Sequence, residues 1–263
     1  MKESIRLAIK DDYVLSFMSN AALAEKYGVH RKTIKECLKS QGIPLRKRTP
    51  KTLVNHLFFS EYNAESCYWA GFILADGYIR NNKRFSLEIK LQKQDVGHLN
   101  KFSNSIGFSG LIKERSNYFS ITISSSQLIF DLADKFEIYN KKSLTCHISS
   151  KIPNGYLKDY IRGYFDGDGC ITHTSIEAIN FTGTDATLNF IRDYFYNTCN
   201  IKLRTKDKPD IVRTHTKKVG TIHYSGMSAF RCLHHMYNGT TAFLERKYRK
   251  YMDLMSKYQH CVG

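Results

Sequence analysis

The sequence predicts an α+β protein: a small all-helical unit, then a tandem αββαββα repeat with pseudo-twofold symmetry. Three observations predict it. The nonamer Trp69-Ala-Gly-Phe-Ile-Leu-Ala-Asp-Gly77 returns as Ile161-Arg-Gly-Tyr-Phe-Asp-Gly-Asp-Gly169, so that Asp76 and Asp168 stand 92 residues apart (168 − 76). After each nonamer, strand-like alternation and helix-like periodicity follow in the same order, which marks an internal repeat. The first 45 or so residues carry helical patterning only. At 263 residues the chain is long enough for a sizeable core.

Residues 1–45 form the small unit. Ala21 to Tyr27 is a strong helix former stopped by Gly28, and Val29 to Ser40 reads as a second helix with Ile34 and Leu38 on one face. A glycine in a short turn between two helices is the helix-turn-helix pattern. It resembles the helix-turn-helix of many bacterial and phage DNA-binding domains, whose second helix meets base edges in the major groove. Arg31, Lys32 and Lys35 lie off the Ile34/Leu38 face and are the candidate contacts; an αα-hairpin with a wet basic face fits the same residues. Pro44 ends this unit. Residues 46–60 read as a basic linker, with Arg46, Lys47 and Arg48 placed to follow a phosphate backbone or simply solvated.

The first repeat spans residues 61–150. After its nonamer, Tyr78 to Arg80 and Phe85 to Gln92 make a hairpin with its turn at Asn81-Asn82. Leu87, Ile89 and Leu91 point inward; Ser86, Glu88, Lys90 and Gln92 point outward. A helix over Asp95 to Ser105 precedes a second hairpin, Leu111 to Arg115 and Tyr118 to Ser124, which presents Lys113, Arg115, Ser120 and Thr122. Ser126 to Phe136 is helical. The second repeat, residues 151–263, follows suit. Ile171 to Thr172 and Ile176 to Thr182 pair with Ala178, Asn180 and Thr182 outward, and Thr184 to Tyr196 is a helix. Ile201 to Arg204 and Thr221 to Ser225, the latter bearing His223, read as strands around a basic loop from Thr205 to Gly220. Met227 to Tyr237 and Ala242 to Tyr258 close the chain as helices.

Each nonamer has the length and apolar content of a buried helix of two to three turns. Gly71 and Gly163 hold its third place, where a small residue lets two helix backbones approach closely. The Asp falls on the last turn, and the glycine after it, Gly77 or Gly169, is suited to a left-handed helix stop. Packed together, the helices would bring Asp76 and Asp168 to one rim. Helix C-termini are already negative and like charges repel, so this pattern calls for a divalent cation. Mg²⁺ fits, because it takes one or two carboxylates and completes its octahedron with water and phosphate oxygens. Ala75, beside Asp76, brings no ligating group.

Net charge is +16, from 40 Lys and Arg against 24 Asp and Glu, interleaved with 17 Tyr and 16 Phe. That balance points to an anionic partner. No stretch has the apolar length of a membrane span, and the N-terminus lacks the apolar core of a signal peptide, so a cytoplasmic setting (bacterial, phage or organellar interior) is expected. Seven Cys without a C-x-x-C read as reduced thiols. The His residues, including His234-His235, show no zinc spacing and read as structural or DNA-facing.

The paired nonamers resemble the signature of the LAGLIDADG homing endonucleases in their single-chain, two-motif form, over roughly residues 60 to 255. Leu74 stands where an acid is found in some motifs; Asp166 fills that place in the second copy. The resemblance implies a monomeric, Mg²⁺-dependent endonuclease that breaks both strands of a long asymmetric DNA site, as in intron homing, with 3′ overhangs. It implies Asp76 and Asp168 as metal ligands and a Lys near the end of each repeat as an electrostatic helper; the matching positions are Lys142 and Lys247, with Lys141 and Arg246 beside them. Gln92 and Thr184 match positions that orient water. The outward residues of the two sheets would read bases in the major groove, although a solvated sheet face would look the same. Two alternatives share these parts: a maturase binding intron RNA, and a nuclease-inactive DNA-binding regulator. Both motif aspartates and both lysines argue against the latter.

Overall fold

The computed structural model describes residues 2–16, 18–45, 52–81, 85–140, 145–173, 177–201, 212–213 and 219–258. Two compact units emerge, Met1–Lys51 and Thr52–Gly263.

Among the described residues the N-terminal unit comprises the helices α1 (Glu3–Val14), α2 (Asn20–Lys26) and α3 (Arg31–Ser40). Ile9, Tyr13, Leu23, Ile34, Cys37 and Leu38 form a core of their own. The first helix goes beyond the two-helix reading of the sequence, although Ile9 and Tyr13 have the i, i+4 spacing of a buried face. Gly28, at φ +62°, makes the left-handed turn after α2. The following helix begins at Arg31 rather than Val29, because His30 Nδ1 accepts from the Lys32 amide (3.3 Å) and caps it. Arg31, Lys32 and Lys35 are all exposed, as expected.

The larger unit is built on α4 (Ala64–Asp76) and α7 (Asn154–Asp168), the two nonamer helices. Asn63 and Ser66 form a capping box that fixes the start of α4. Residues 66–74 of α4 are all buried, as expected of a helix that is apolar all round. Two antiparallel four-stranded sheets accompany the pair. The first, in order β1-β2-β4-β3, comprises β1 (Gly77–Arg80), β2 (Ser86–Gln92), β3 (Lys113–Glu114) and β4 (Tyr118–Ser124). The second, in order β5-β6-β8-β7, comprises β5 (Gly169–His173), β6 (Glu177–Gly183), β7 (Val212–Arg213) and β8 (Gly220–Ser225). Leu87, Ile89, Leu91, Ile121 and Ile123 from one sheet, and Ile171, Ile179, Phe181 and Ile222 from the other, join the same core as the paired helices. Helices α5 (Val96–Ser105) and α6 (Ser126–Phe136) complete the first αββαββα unit; α8 (Asp185–Thr198) and α9 (Gly226–Tyr237) complete the second, and α10 (Glu245–Tyr258) follows.

Three expectations need correction here. The strand pairing with β8 is Val212–Arg213, inside the segment read as a loop; of the expected strand Ile201 to Arg204, residues 202–204 lie outside the described residues. Leu111 is not in a strand and is largely exposed, β3 being only Lys113–Glu114. Ala178 has the outward register but is buried, its small side chain lying between Thr172 and Ser225 in the cross-strand pairing.

Candidate active site

The motif helices touch through their glycines, and the contact is reciprocal. A Cβ on Gly71 would sit 2.0 Å from the Tyr160 carbonyl oxygen, and one on Gly163 would sit 1.9 Å from that of Tyr68. Gly71 and Gly163 differ by 92 positions, as do Tyr68 and Tyr160, so the two contacts exchange under a twofold operation. The closeness persists to the helix ends. At Gly167 a Cβ would meet the Ala75 Cβ at 2.3 Å and a carboxylate oxygen of Asp76 at 3.4 Å. Asp76 therefore lies against the residue that precedes Asp168, and both aspartates are exposed.

Gly77 and Gly169 do not take the left-handed conformation expected of them. Both are extended, at φ −77° and −85°, and lead straight into β1 and β5. Space is what requires glycine: a Cβ would come within 2.7 Å of the Ile73 carbonyl oxygen at one position and 2.1 Å of the Phe165 ring at the other.

Beneath this rim lies a buried polar network centred on Asp166 and Lys247 of the second repeat and joined by Tyr68 of the first. Asp166, 1 % exposed, accepts from Tyr68 Oη (2.7 Å), Tyr237 Oη (2.5 Å) and the Leu244 amide (2.8 Å). Burial pushes its carboxyl up, while Lys247 and these donors pull the other way. Lys247, also 1 % exposed, donates to the carbonyls of Phe165, Asp166 (2.9 Å) and Gly169 (2.5 Å), the last turn of α7. Its ammonium is lowered to about 8, chiefly by burial, with Asp166 and Asp76 opposing the shift. A side chain so enclosed holds the helix end that carries Asp168, and is not presented to a phosphate backbone.

The other expected site residues divide. Gln92 is exposed on the part of β2 that runs past the Gly77↔Ile89 pairing, and its Oε1 accepts from Gln94 (3.0 Å). Thr184 is buried as the N-cap of α8, donating to the Cys146 carbonyl (2.5 Å), so it is unsuited to orienting a water at the rim. Arg246 pairs with Asp95 at 3.1 and 3.2 Å. Lys141, Lys142, Arg46, Lys47 and Arg48 lie outside the described residues. Among the described residues no group of three or more His, Cys, Asp or Glu could hold a metal. Asp76 and Asp168 fit an ion that takes few protein ligands.

On the outward sheet faces, Lys90, Lys113, Arg115, Thr122 and His223 are exposed, and Glu88, Asn180 and Thr182 are half-buried. Glu88 lies between Arg80 (3.2 Å) and Lys90 (3.6 Å). Ser86 and Ser120, expected as contacts, are buried at 7 % and 5 % exposure. Ser120 stands between its cross-strand partners Lys90 and Lys113; Ser86 stands between Arg80 and Ser124. The histidines His234 and His235 are structural, bonded to Tyr251 (3.0 Å) and Tyr194 (2.8 Å).

No family model matches the sequence, and no curated protein matches it. Solved structures do match in fold. The LAGLIDADG homing endonuclease I-LtrWI bound to target DNA superposes with a TM-score of 0.51 at 11% identity, over 76% of this chain and 92% of that one. The LAGLIDADG meganuclease I-AabMI bound to uncleaved DNA gives 0.50 at 14% identity, over 76% and 91%. The chain has the LAGLIDADG homing endonuclease fold. Within that fold the reciprocal Gly71 and Gly163 contacts are the motif–motif seam, and Asp76 and Asp168 are the paired motif ends. Asp166 belongs to the seam's underside in the second motif only, Leu74 taking its place in the first.

Proposed function

We propose that this chain is a site-specific endonuclease that breaks both strands of a long, asymmetric DNA duplex with the help of Mg²⁺. One observation carries the reading: two exposed carboxylates, Asp76 and Asp168, stand at the touching C-terminal ends of helices related by a twofold exchange. Each helix runs directly into a sheet whose outward face carries hydrogen-bonding and cationic side chains. A charge of +16 supplies the non-specific attraction to phosphates. The two solved structures named above are homing endonucleases or meganucleases bound to DNA.

Asp76 and Asp168 would hold the divalent ions, one for each strand. When bound, such ions make a water nucleophilic and neutralise charge on the phosphoryl oxygens. The chain's own contribution is placement. Lys247 draws in the last-turn carbonyls of α7 and so fixes where Asp168 sits. Lys142 is the proposed equivalent in the first half. Gln92, exposed on β2 three residues beyond the partner of Gly77, would orient a water. Arg31, Lys32 and Lys35 of the N-terminal unit would extend the contact along the duplex.

The test is cleavage of a duplex found by selection with the purified chain. Asp76→Asn and Asp168→Asn are each expected to retain binding and lose double-strand cutting in Mg²⁺, with rates down by at least a few hundredfold, comparable to the loss of one key electrostatic group. A double variant that still cuts both strands refutes the assignment.

A further inference from the structure

We infer that Asn180 and His223 act as one unit that reads a single adenine in the half-site facing the second sheet. The inference rests on the DNA-recognition reading above and assigns a base to one place within it.

Asn180 on β6 and His223 on β8 are direct cross-strand partners, and both have the outward register. His223 is exposed, Asn180 half-buried. The two are locked together: His223 Nδ1–H donates to Asn180 Oδ1 at 2.5 Å. This bond decides what the pair offers outward. A neutral imidazole that donates from Nδ1 has an accepting Nε2, and an amide whose oxygen is engaged has its Nδ2–H₂ free to donate. The pair thus presents one acceptor beside one donor. Turning the amide over exchanges the two roles but leaves the same sum, one of each.

In the major groove only adenine offers an acceptor (N7) and a donor (N6–H₂) on a single base. Guanine offers two acceptors, N7 and O6, whereas cytosine and thymine each offer one group. A coupled donor–acceptor pair therefore matches adenine in two bonds on one base, whereas on guanine alone the accepting nitrogen would face O6 or N7. The mutual bond also fixes both rotamers before DNA arrives, so less side-chain freedom is lost on binding.

The row containing this pair lies close to the candidate catalytic rim. Asn180 also pairs with Cys170, two residues after Asp168. The adenine should accordingly lie near the centre of the target. The matching row of the first sheet is Tyr78, Glu88 and Thr122. There the outward group is a carboxylate held by Arg80 and Lys90, so the two halves ask for different bases.

The experiment is selection of bound duplexes from a random DNA pool by the full chain without divalent ion, followed by sequencing, for the wild type, His223→Phe and Asn180→Ala. The wild type is expected to enrich a motif with a near-central adenine. In both variants preference at that position, and at no other, should fall by roughly 5- to 150-fold, the worth of one bidentate base contact. Circular dichroism confirms that the outward-facing variants are folded. Adenine preference that survives both substitutions, or a sensitive position that favours guanine or a pyrimidine in the wild type, overturns the inference. A wild-type chain that enriches no motif overturns the DNA-recognition reading itself, and this inference with it.

Discussion

Tyr68 and Tyr160 occupy matching places in the two motif helices, yet their hydroxyls meet different surroundings. Tyr68 donates to Asp166, whereas Tyr160 Oη is buried with no hydrogen-bond partner among the described residues. The cause is one residue: the place matching Asp166 is Leu74, which offers no acceptor. Opposite effects follow from the same substitution. Tyr160→Phe is expected to leave stability unchanged or raise it by about 1 kcal/mol, since an unsatisfied polar group is removed. Tyr68→Phe should lower it by roughly 1–3 kcal/mol, because a buried carboxylate loses a donor. Chemical denaturation of the two variants checks both signs. The glycines of the seam are stricter still. A methyl on Gly71 or Gly163 meets a backbone carbonyl at 2.0 or 1.9 Å, and no side chain can swing aside to admit it. Gly71→Ala and Gly163→Ala should each destabilise by about 3 kcal/mol or more, the upper end for an overpacked core, with melting temperature as the readout.

At the scale of elements, α5 is fastened to α4 through His98. The imidazole is 3 % exposed, ringed by Tyr68, Trp69 and Phe72, and its Nε2–H donates to Tyr68 Oη (3.1 Å). Burial, reinforced by Lys101, Lys247 and Arg246, lowers its pKa to about 3. The unfolded chain protonates His98 near pH 6.5 and the folded chain does not until about pH 3, so the unfolded state binds more protons across that window. Stability must therefore fall as pH drops from 6.5 towards 3, by an amount on the order of 4 kcal/mol at the low end. Denaturation midpoints at several pH values, compared between the wild type and His98→Gln, isolate this contribution; a pH slope unchanged by the substitution would refute it. Much at this scale was legible in the sequence. The nonamers, the alternation of Leu87, Ile89 and Leu91, and the helix over residues 126–136 depend on local periodicity, which a single chain displays. What was not legible depends on distant partners. Lys247 was marked only by its place near the end of a repeat, and nothing local showed that the carbonyls of α7 would enclose it. Ser120 looked outward, but it is buried between its cross-strand partners Lys90 and Lys113. Gly77 and Gly169 suggested a handedness requirement, and only the fold shows that Ile73 and Phe165 set a spatial one.

For the molecule as a whole, the two units have separate cores among the described residues: the cluster of Ile9, Leu23, Ile34 and Leu38 contains none beyond 52, and the main cluster contains none before it. Separate cores imply separable stability, since burying apolar surface is what offsets the entropy of folding. The main unit already carries both aspartates, both sheets and the seam. The N-terminal unit carries none of these, but its α3 presents Arg31, Lys32 and Lys35 on an exposed face. A chain lacking residues 1–51 is therefore expected to fold and to keep cutting at the same phosphates. It should lose affinity through fewer phosphate and base contacts, and its binding should depend less steeply on salt, by roughly one unit of slope for each phosphate contact removed. Footprinting of the full and shortened chains on one duplex decides the matter. Protection should retract on one flank alone, because the N-terminal unit occurs once while the αββαββα unit occurs twice. Equal protection by both chains would exclude the N-terminal unit from the interface, and retraction on both flanks would mean that it supports the fold of the main unit rather than reading DNA beside it.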